Sequence, residues 1–220
     1  MARRIRTFIA LELTKNIRQK LTTLQEKLAA AIPEVKWVEP ENLHVTLFFL
    51  GDVPDLEVPE VCRRVEQAVA GLAPFSVSVE GLGCFPGTNR PRVLWAGITK
   101  GAQELQQVHK VLERPLHALG YRAEERRYVP HITLGRLKRD RPVPKIAELI
   151  QQMHRCRLGE MTASEICIMA SQLERSGPIY TVMGRAFFRG EHARAAEESV
   201  RAQSEFEEDF LTSADEPEMD

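Results

Sequence analysis

The sequence lacks the patterns that would place it in a membrane or outside the cell. Its uninterrupted apolar runs are short, as at residues 47–50, whereas a membrane-spanning helix needs about 20 consecutive apolar residues. The basic start is followed by a brief apolar stretch that meets Glu12, with no small-residue cleavage site, so we expect no signal peptide. The four cysteines form no Cys-x-x-Cys pair and are expected to be reduced thiols. These absences predict a cytoplasmic protein without a membrane span.

Several catalytic signatures are also missing. The sequence has no Gly-x-Ser-x-Gly nucleophile turn and no phosphate-binding Gly-x-x-x-x-Gly-Lys-[Ser/Thr] loop. No cysteine stands close enough to a histidine to indicate a thiol nucleophile. What the chain does have is a globular composition, with 220 residues of which 43% are hydrophobic and 28% charged, and this excludes wholesale disorder. Its length fits one large domain or two small lobes.

Charge is divided unequally along the chain. From Glu191 onward there are eleven acidic residues and two arginines, a net charge of −9, which leaves residues 1–190 with +8. A basic body with an acidic tail is typical of proteins that bind polyanions, although +8 over 190 residues also fits a mixed surface. We therefore expect a domain at 1–190 and an acidic tail at 191–220. The tail is either a solvated appendage or a partly helical segment that lies against the basic surface.

Periodic patterns of apolar residues indicate the secondary structure. Strands are predicted at residues 5–11, 35–38, 43–50, 75–79, 92–98, 131–136, 165–170 and 180–188. Helices are predicted at 14–30 and 59–70, over a second long segment that ends at Gly120, and from Pro144 onward. We expect Pro115 to kink or interrupt the second long helix. Because strands and helices roughly alternate and several strands should have antiparallel neighbours, the predicted fold class is α+β.

One tetrapeptide, His-x-Thr-Leu, occurs in each half of the chain. It begins at His44 in the first half and at His131 in the second, and the x residue is apolar and β-branched both times. On a strand, each histidine shares a face with the threonine two residues on, Thr46 or Thr133, about 6.6 Å along the strand. A lone His-x-Thr is usually a solvated polar position, so the signal is the repetition with matching apolar flanks. The remaining histidines are expected at surface or helix-end positions: His109, His117, His154 and His192.

Two histidines with two hydroxyl groups suit phosphodiester cleavage. An imidazole titrates near pH 6.5, so one ring can act as a base while the other acts as an acid. Cleavage needs a base for the attacking oxygen and an acid for the leaving alkoxide on the opposite side. Threonine hydroxyls can donate to the non-bridging oxygens of the phosphate. A metal site fits less well, because neither tetrapeptide contains Asp, Glu or Cys.

These motifs and their flanks resemble the two-histidine (2H) phosphoesterases. Within that superfamily the chain is similar to the RNA 2′,3′-cyclic phosphodiesterases of bacteria and archaea, also called 2′-5′ RNA ligases. The resemblance covers about residues 3–188. It is carried by Arg6-Thr-Phe-Ile-Ala, Val35-Lys-Trp-Val-Glu-Pro-Glu-Asn-Leu-His-Val-Thr-Leu-Phe-Phe-Leu-Gly, Phe85-Pro, Arg90-Pro-Arg-Val-Leu-Trp-Ala-Gly and Tyr128-Val-Pro-His-Ile-Thr-Leu-Gly-Arg.

The resemblance implies two pseudo-symmetric lobes of mainly antiparallel sheet with flanking helices, and an active site in the cleft between them. It implies hydrolysis of RNA 2′,3′-cyclic phosphate ends to 2′-phosphomonoesters without a metal or another cofactor. His44 would be the proton donor and His131 the proton acceptor, with Thr46, Thr133 and Arg136 holding the phosphate. The expected partner is RNA with cyclic phosphate ends, and the expected state is a monomer. Reversible 2′-5′ RNA ligation and a non-catalytic RNA-binding module remain as alternatives.

The assignment of Arg136 conflicts with simple strand alternation. Counting from His131, Arg136 should face away from the cleft, and a bulge or twist at Gly135 is needed to bring it round. Alternation from His44 makes Phe48 the best candidate for stacking on a base, ahead of Trp37 and Trp95. Further arginines that flank the motif strands are candidates for contacts with RNA phosphates: Arg90, Arg92, Arg126 and Arg127.

Overall fold

A computed structural model describes residues 3–123, 127–137, 143–174 and 177–190 of the chain. The strands are β1 (Arg4–Glu12), β2 (Val35–Trp37), β3 (His44–Pro54), β4 (Phe75–Phe85), β5 (Val93–Ile98), β6 (His131–Leu137), β7 (Arg157–Ala163), β8 (Glu165–Leu173) and β9 (Pro178–Phe187). The α-helices are α1 (Lys15–Ala31), α2 (Val58–Val69), α3 (Ala102–Ala118) and α4 (Pro144–Gln152). The predicted acidic tail at 191–220 and Arg126 lie outside the described residues.

The strands form one continuous sheet in the order β7-β4-β5-β6-β3-β1-β8-β9, and β2 pairs with β6 beside this path. All strand pairings that the structure describes are antiparallel. With helices packed against this sheet, the α+β prediction is confirmed. The two motif strands, β3 and β6, are neighbours in the middle of the sheet, and they pair at Val45 and Ile132. This pairing joins the β7-β4-β5-β6 part of the sheet to the β3-β1-β8-β9 part and puts both motifs at the seam.

Apolar stripes of α1 and α3 bury against one face of the sheet, as their three- and four-residue spacing predicts. In α1 the stripe is Ile17, Leu21, Leu24 and Leu28, and in α3 it is Leu105, Val108, Leu112 and Leu116. Shortening one of these leucines to alanine would cost about 2–5 kcal/mol. No helix in the described ranges is long and apolar enough to cross a membrane.

The structure differs from the predicted elements in two details. Helix α3 runs through Pro115 to Ala118 without interruption. Pro115 lies in the last turn, so the missing N–H removes only one helical hydrogen bond there, and the buried Leu112 and Leu116 hold the turn in place. Strand β7 was not predicted, because its seven residues include Arg157, Gly159 and Glu160 and lack a clear alternation of apolar residues.

Candidate active site

The two motifs alternate between the core and an open face of the sheet. Val45 and Ile132 are completely buried, whereas the histidine and the threonine on either side of each remain partly accessible. The Val45–Ile132 pairing, continued by one residue in each direction, sets His44 beside Thr133 and Thr46 beside His131. The sheet therefore brings both motifs to one face, although the sequence separates them by more than eighty residues.

A cavity of about 690 Å³ opens in front of this face. Its lining includes His44, Thr46, Thr133 and Arg136, so it brings together four of the five predicted site residues. The fifth, His131, is not among the lining residues. Its ring packs against Phe85, with centroids 5.0 Å apart, and against Trp95 at 6.1 Å.

Both motif histidines are held in the same way by the backbone. Nδ1 of His44 lies 2.7 Å from the carbonyl oxygen of Asn42, and Nδ1 of His131 lies 2.7 Å from the carbonyl oxygen of Val129. A carbonyl can only accept, so each ring carries a proton on Nδ1 and leaves Nε2 for proton exchange. Nε2 of His44 is 3.0 Å from the Thr46 hydroxyl, which donates to it while the ring is neutral.

The environment favours the neutral form of both rings. Burial lowers the pKa of His44, and the positive charge of His131 lowers it further, against the opposing effect of the Asn42 carbonyl. Burial also lowers the pKa of His131, which the Val129 carbonyl opposes and the Arg136 charge reinforces. Since each positive group disfavours protonation of a neighbour, the site without an anion resists a second positive charge.

A β-bulge interrupts the alternation of β3 at Leu47, the last residue of its motif. Ile9 of β1 pairs with Phe48 and Ala10 pairs with Thr46, so Leu47 is an extra residue without a partner. As a result Leu47 and Phe48 are both buried, and Phe49 faces the cavity with about half of its surface exposed. The prediction that Phe48 stacks on a base is therefore wrong, and Phe49 stands in that position.

Strand β6 contains the corresponding bulge. Leu94 of β5 pairs with Gly135 and Trp95 pairs with Thr133, so Leu134 is the extra residue. The bulge brings Arg136 round to the cavity. A side chain at Gly135 would collide with Val35, because a Cβ there would lie 2.3 Å from a methyl group of that residue. Phe49 and Arg136 thus occupy equivalent positions, each five residues after its motif histidine.

Polar side chains from the helices donate hydrogen bonds to backbone carbonyls at these bulges. The Leu47 carbonyl accepts from Nδ1 of His109 at 2.7 Å, and the Leu134 carbonyl accepts from the Gln25 amide at 2.8 Å. Next to the first bulge, the Tyr128 hydroxyl donates to the Thr46 carbonyl at 2.9 Å. His109 stacks on Tyr128 with ring centroids 4.3 Å apart, and its side chain is only 16% exposed. The prediction that His109 is a surface or helix-end residue is therefore wrong.

Aromatic rings and a buried amide surround His44. Phe8 and Tyr180 lie 5.0 Å and 5.4 Å from its ring, measured between centroids, and both line the cavity. Asn42, which holds the ring through its carbonyl, also donates from its side-chain amide to the Pro178 carbonyl at 2.8 Å. These contacts tie His44 to β1 and β9. Sequence reasoning missed these three residues, because their proximity depends on the pairing of strands far apart in the chain.

The cations of the cavity differ from those that sequence reasoning selected. Besides Arg136, the lining contains Arg6 and Lys36, together with the acids Glu39 and Asp52. The alternation of β1 offered a signal for Arg6, because it shares a face with Phe8. Trp37 also lines the cavity, whereas Trp95 packs beside His131. The described members of the predicted arginine set are exposed and lie outside the lining: Arg90, Arg92 and Arg127.

One group of potential metal ligands occurs among the described residues, and it excludes the motif histidines. It consists of Glu12, Glu165 and Cys167, whose ligand atoms lie within 4.8 Å of one another. The Arg185 guanidinium already sits there, 2.9 Å from a Glu12 oxygen and bonded to Glu165. Burial raises the pKa of the Cys167 thiol to about 12, which keeps the thiol protonated. The cluster is an ion-pair network rather than a site that fits a metal.

Comparisons with known proteins agree with this geometry. Residues 11–95 and 97–180 match the family model described as LigT like Phosphoesterase, so each matched segment contains one motif. The RNA 2′,3′-cyclic phosphodiesterase of Methanothermobacter thermautotrophicus is 37% identical over 180 residues, which cover 82% of this chain and 97% of that protein. The protein of the same name from Aeropyrum pernix is 35% identical over 164 residues, covering 74% of this chain and 92% of that protein. The crystal structure of TT0787 of Thermus thermophilus superimposes with a TM-score of 0.72 at 29% identity, covering 86% of this chain and 100% of that chain.

Proposed function

The chain belongs to the LigT-like phosphoesterases, and from that membership we propose that His44 and His131 open RNA 2′,3′-cyclic phosphates as acid and base. The protein is a hydrolase, an RNA 2′,3′-cyclic phosphodiesterase. The roles of the individual residues, the 2′-phosphate product and independence from metals are the parts proposed here. The observation that carries the residue roles is the convergence of both motifs on one face at the Val45–Ile132 pairing.

His131 takes the proton from the attacking water in this mechanism. Its Nδ1 proton is engaged by the Val129 carbonyl, so Nε2 is the atom available to accept. The pKa of His131 is lowered by burial and by the Arg136 charge, which keeps the ring neutral and able to act as a base near neutral pH. Thr46 lies beside His131 in the strand register, where its hydroxyl can orient a non-bridging oxygen.

His44 gives a proton to the leaving 3′-oxygen from the opposite side. It must carry that proton on Nε2, because Nδ1 is bonded to the Asn42 carbonyl. Burial lowers the pKa of His44 in the free enzyme. A bound phosphate places a negative charge beside the His44 ring and favours its protonated form. Arg136 and Thr133, both in the cavity lining, hold the remaining phosphate oxygens.

The product and the metal requirement test this proposal. An oligonucleotide ending in a 2′,3′-cyclic phosphate is incubated with the full chain in excess EDTA, and the product is identified by phosphorus NMR. We expect an unchanged rate with EDTA and a 2′-phosphate product. A 3′-phosphate product would reverse the assignment of the leaving oxygen, and a requirement for Mg²⁺, Mn²⁺ or Zn²⁺ would overturn the two-histidine mechanism. The substrate is expected to be RNA met in the cytoplasm by a monomeric enzyme.

A further inference from the structure

A second cavity, of about 450 Å³, lies between helices α2 and α3. Its lining carries positive charge from Arg64, Lys110 and Arg114, and it includes the apolar residues Ala68 and Val111. We call it the α2–α3 groove. Helices α2 and α3 pack against the core that contains Val45 and Leu47, on the other side of the sheet from His44. The groove is therefore separate from the active site.

Two of the three cations in the groove are available to a partner. Arg64 is bonded at 2.8 Å to Glu60, a carboxylate that also bonds Arg63 at 2.6 Å, so Arg64 is engaged within α2. Lys110 and Arg114 are exposed, and among the described residues neither has an ion-pair partner. They lie four residues apart, so they stand one above the other on the same face of α3. This arrangement suits an extended or helical acidic segment.

The described chain ends close to this groove. The Gly190 amide donates to the Leu72 carbonyl at 2.9 Å, and the Arg189 amide donates to the Ala70 carbonyl at 3.2 Å, just beyond the end of α2. The groove residue Arg64 lies six residues before Ala70, about 9 Å along the helix axis. The acidic tail thus starts within about two helical turns of the groove, and the tail carries a net charge of −9.

One part of the tail matches the groove in both charge and apolar character. Residues 205–210 read Glu-Phe-Glu-Glu-Asp-Phe, which is four acids and two phenylalanines in six positions. Segment 205–210 begins fifteen residues after Gly190, and an extended chain of that length spans about 50 Å, so reach is no obstacle. We propose that segment 205–210 docks in the α2–α3 groove of its own chain, with its acids on Lys110 and Arg114 and its phenylalanines on the apolar residues of the lining.

Docking there gives the acidic tail a place that leaves the active site open. The effective concentration of a tethered segment exceeds that of any competitor in dilute solution, so the groove is occupied by the chain's own acids. RNA phosphates, which would otherwise be attracted to Lys110 and Arg114, are then directed to the cations of the cavity. The inference rests on the groove and the tail, and it does not depend on the proposed mechanism.

Protease protection measures this docking directly. Chymotrypsin cleaves after Phe206 and Phe210, and its rate on the full chain is compared with its rate on a synthetic peptide of residues 200–215. Docking is expected to slow cleavage of the full chain by at least about tenfold at low salt. The protection should be independent of protein concentration and should shrink as salt rises, because screening weakens exposed charge contacts.

Charge variants identify the docking surface. Lys110→Glu combined with Arg114→Glu should abolish protection, whereas Lys15→Glu combined with Lys27→Glu, at exposed positions on α1, should preserve it. Adding Glu207→Lys and Glu208→Lys to the first pair should restore protection. The cleavage rate of each variant is compared with that of a peptide that has the same tail sequence. Cleavage of the full chain at the peptide's rate would overturn the proposal. Protection that survives the α3 charge reversal, or that grows with protein concentration, would place the segment elsewhere or on a second copy and would overturn it equally.

Discussion

Gln25 on α1 and His109 on α3 hydrogen-bond to equivalent atoms of the two motifs. In each case the acceptor is the carbonyl oxygen of the leucine that ends the motif. Gln25 donates to Leu134 and His109 donates to Leu47, at 2.8 Å and 2.7 Å. Each leucine is the residue that a bulge leaves without a partner on one neighbouring strand, and the Leu134 carbonyl also accepts from the Val38 N–H at 2.9 Å. The two helix side chains thus bond to the bulged backbone and stabilise the segments that aim Phe49 and Arg136 into the cavity.

Replacing these helix side chains tests the role of the bulges. His109→Leu removes the side-chain donor to the Leu47 carbonyl, and Gln25→Leu removes the amide that donates to the Val38 and Leu134 carbonyls. Each loss should lower the free energy of unfolding by about 1–3 kcal/mol. The value of kcat/KM should fall as well, because the bulges position cavity residues. Denaturant melts and steady-state kinetics measure the two effects. Gln19→Leu and His117→Leu, at exposed positions on the same helices, are the matched controls and should change neither quantity.

Removing either motif histidine should affect turnover far more than stability. His44→Ala and His131→Ala each delete a proton-transfer group, so kcat should fall by at least about 10²-fold. The melting temperature should stay nearly constant, because both rings stand at the open face rather than in the core. His154→Ala, which removes an exposed ring bonded to the Gln151 carbonyl, is the control. Near-normal turnover in either motif variant would show that another group carries the chemistry.

The dependence of kcat/KM on pH should be bell-shaped with its maximum below pH 6.5. The pKa values of both His44 and His131 are lowered from 6.5 in the free enzyme, and kcat/KM reports the free enzyme. Above both values the acid has lost its proton, and below both the base has gained one, so activity declines on each side. The two apparent pKa values that the profile gives are properties of the coupled His44–His131 pair. A maximum above pH 6.5 would contradict the effect of burial.

Arg136→Met should shift one limb of the pH dependence of kcat/KM to higher pH. The Arg136 charge lowers the pKa of His131, so its removal should raise that pKa and move the limb governed by His131 to higher pH. KM should rise together with this shift, because a cation is lost from the cavity. The same profile recorded for Arg90→Met, at an exposed position outside the cavity lining, should match the wild-type profile. An unshifted limb would show that Arg136 acts only in binding.

Phe48 and Phe49 should respond in opposite ways to truncation. Phe48 is 2% exposed, so Phe48→Ala should lower the free energy of unfolding by about 3–5 kcal/mol while KM changes little. Phe49 is 49% exposed at the cavity, so Phe49→Ala should leave stability nearly unchanged and raise KM several-fold. Thermal melts and KM measured on one oligonucleotide separate the two. The reverse pattern would mean that β3 alternates without its bulge in solution.

The repeated motif and most of the strands could be predicted because they depend on local patterns. Alternation around His44 and the spacing of apolar residues in α1 are visible in any ten-residue window. The bulge in β6 could be inferred from Gly135. The bulge in β3 contains no glycine, and the apolar pair at positions 47 and 48 does not show that both side chains are buried on the same face. The internal repeat was the available signal, because a bulge after one motif implies a bulge after the other.

The roles of His109 and Asn42 could not be read from the sequence. A polar residue on a helix or at a turn is usually solvated, and its partners here lie on other elements. His109 bonds to Leu47, 62 positions away, and Asn42 bonds to Pro178, 136 positions away. Only the folded chain brings these backbone carbonyls within hydrogen-bond distance. Conversely, each tetrapeptide places its histidine and its threonine two positions apart, so the face that they share follows from strand alternation alone.

Positions 49 and 136 are equivalent in the two halves, but they hold different residues, and this makes the two ends of the cleft different. A pocket with two identical halves would accept a nucleotide equally well in two opposite orientations, and each histidine would then act as the acid in half of the encounters. Here one half presents an aromatic ring and the other a guanidinium, which differ in what they attract. The ring favours the flat face of a base, and the guanidinium favours anionic oxygens. The difference at these two positions, together with the different rings beside His44 and His131, makes the two halves of the cleft chemically distinct.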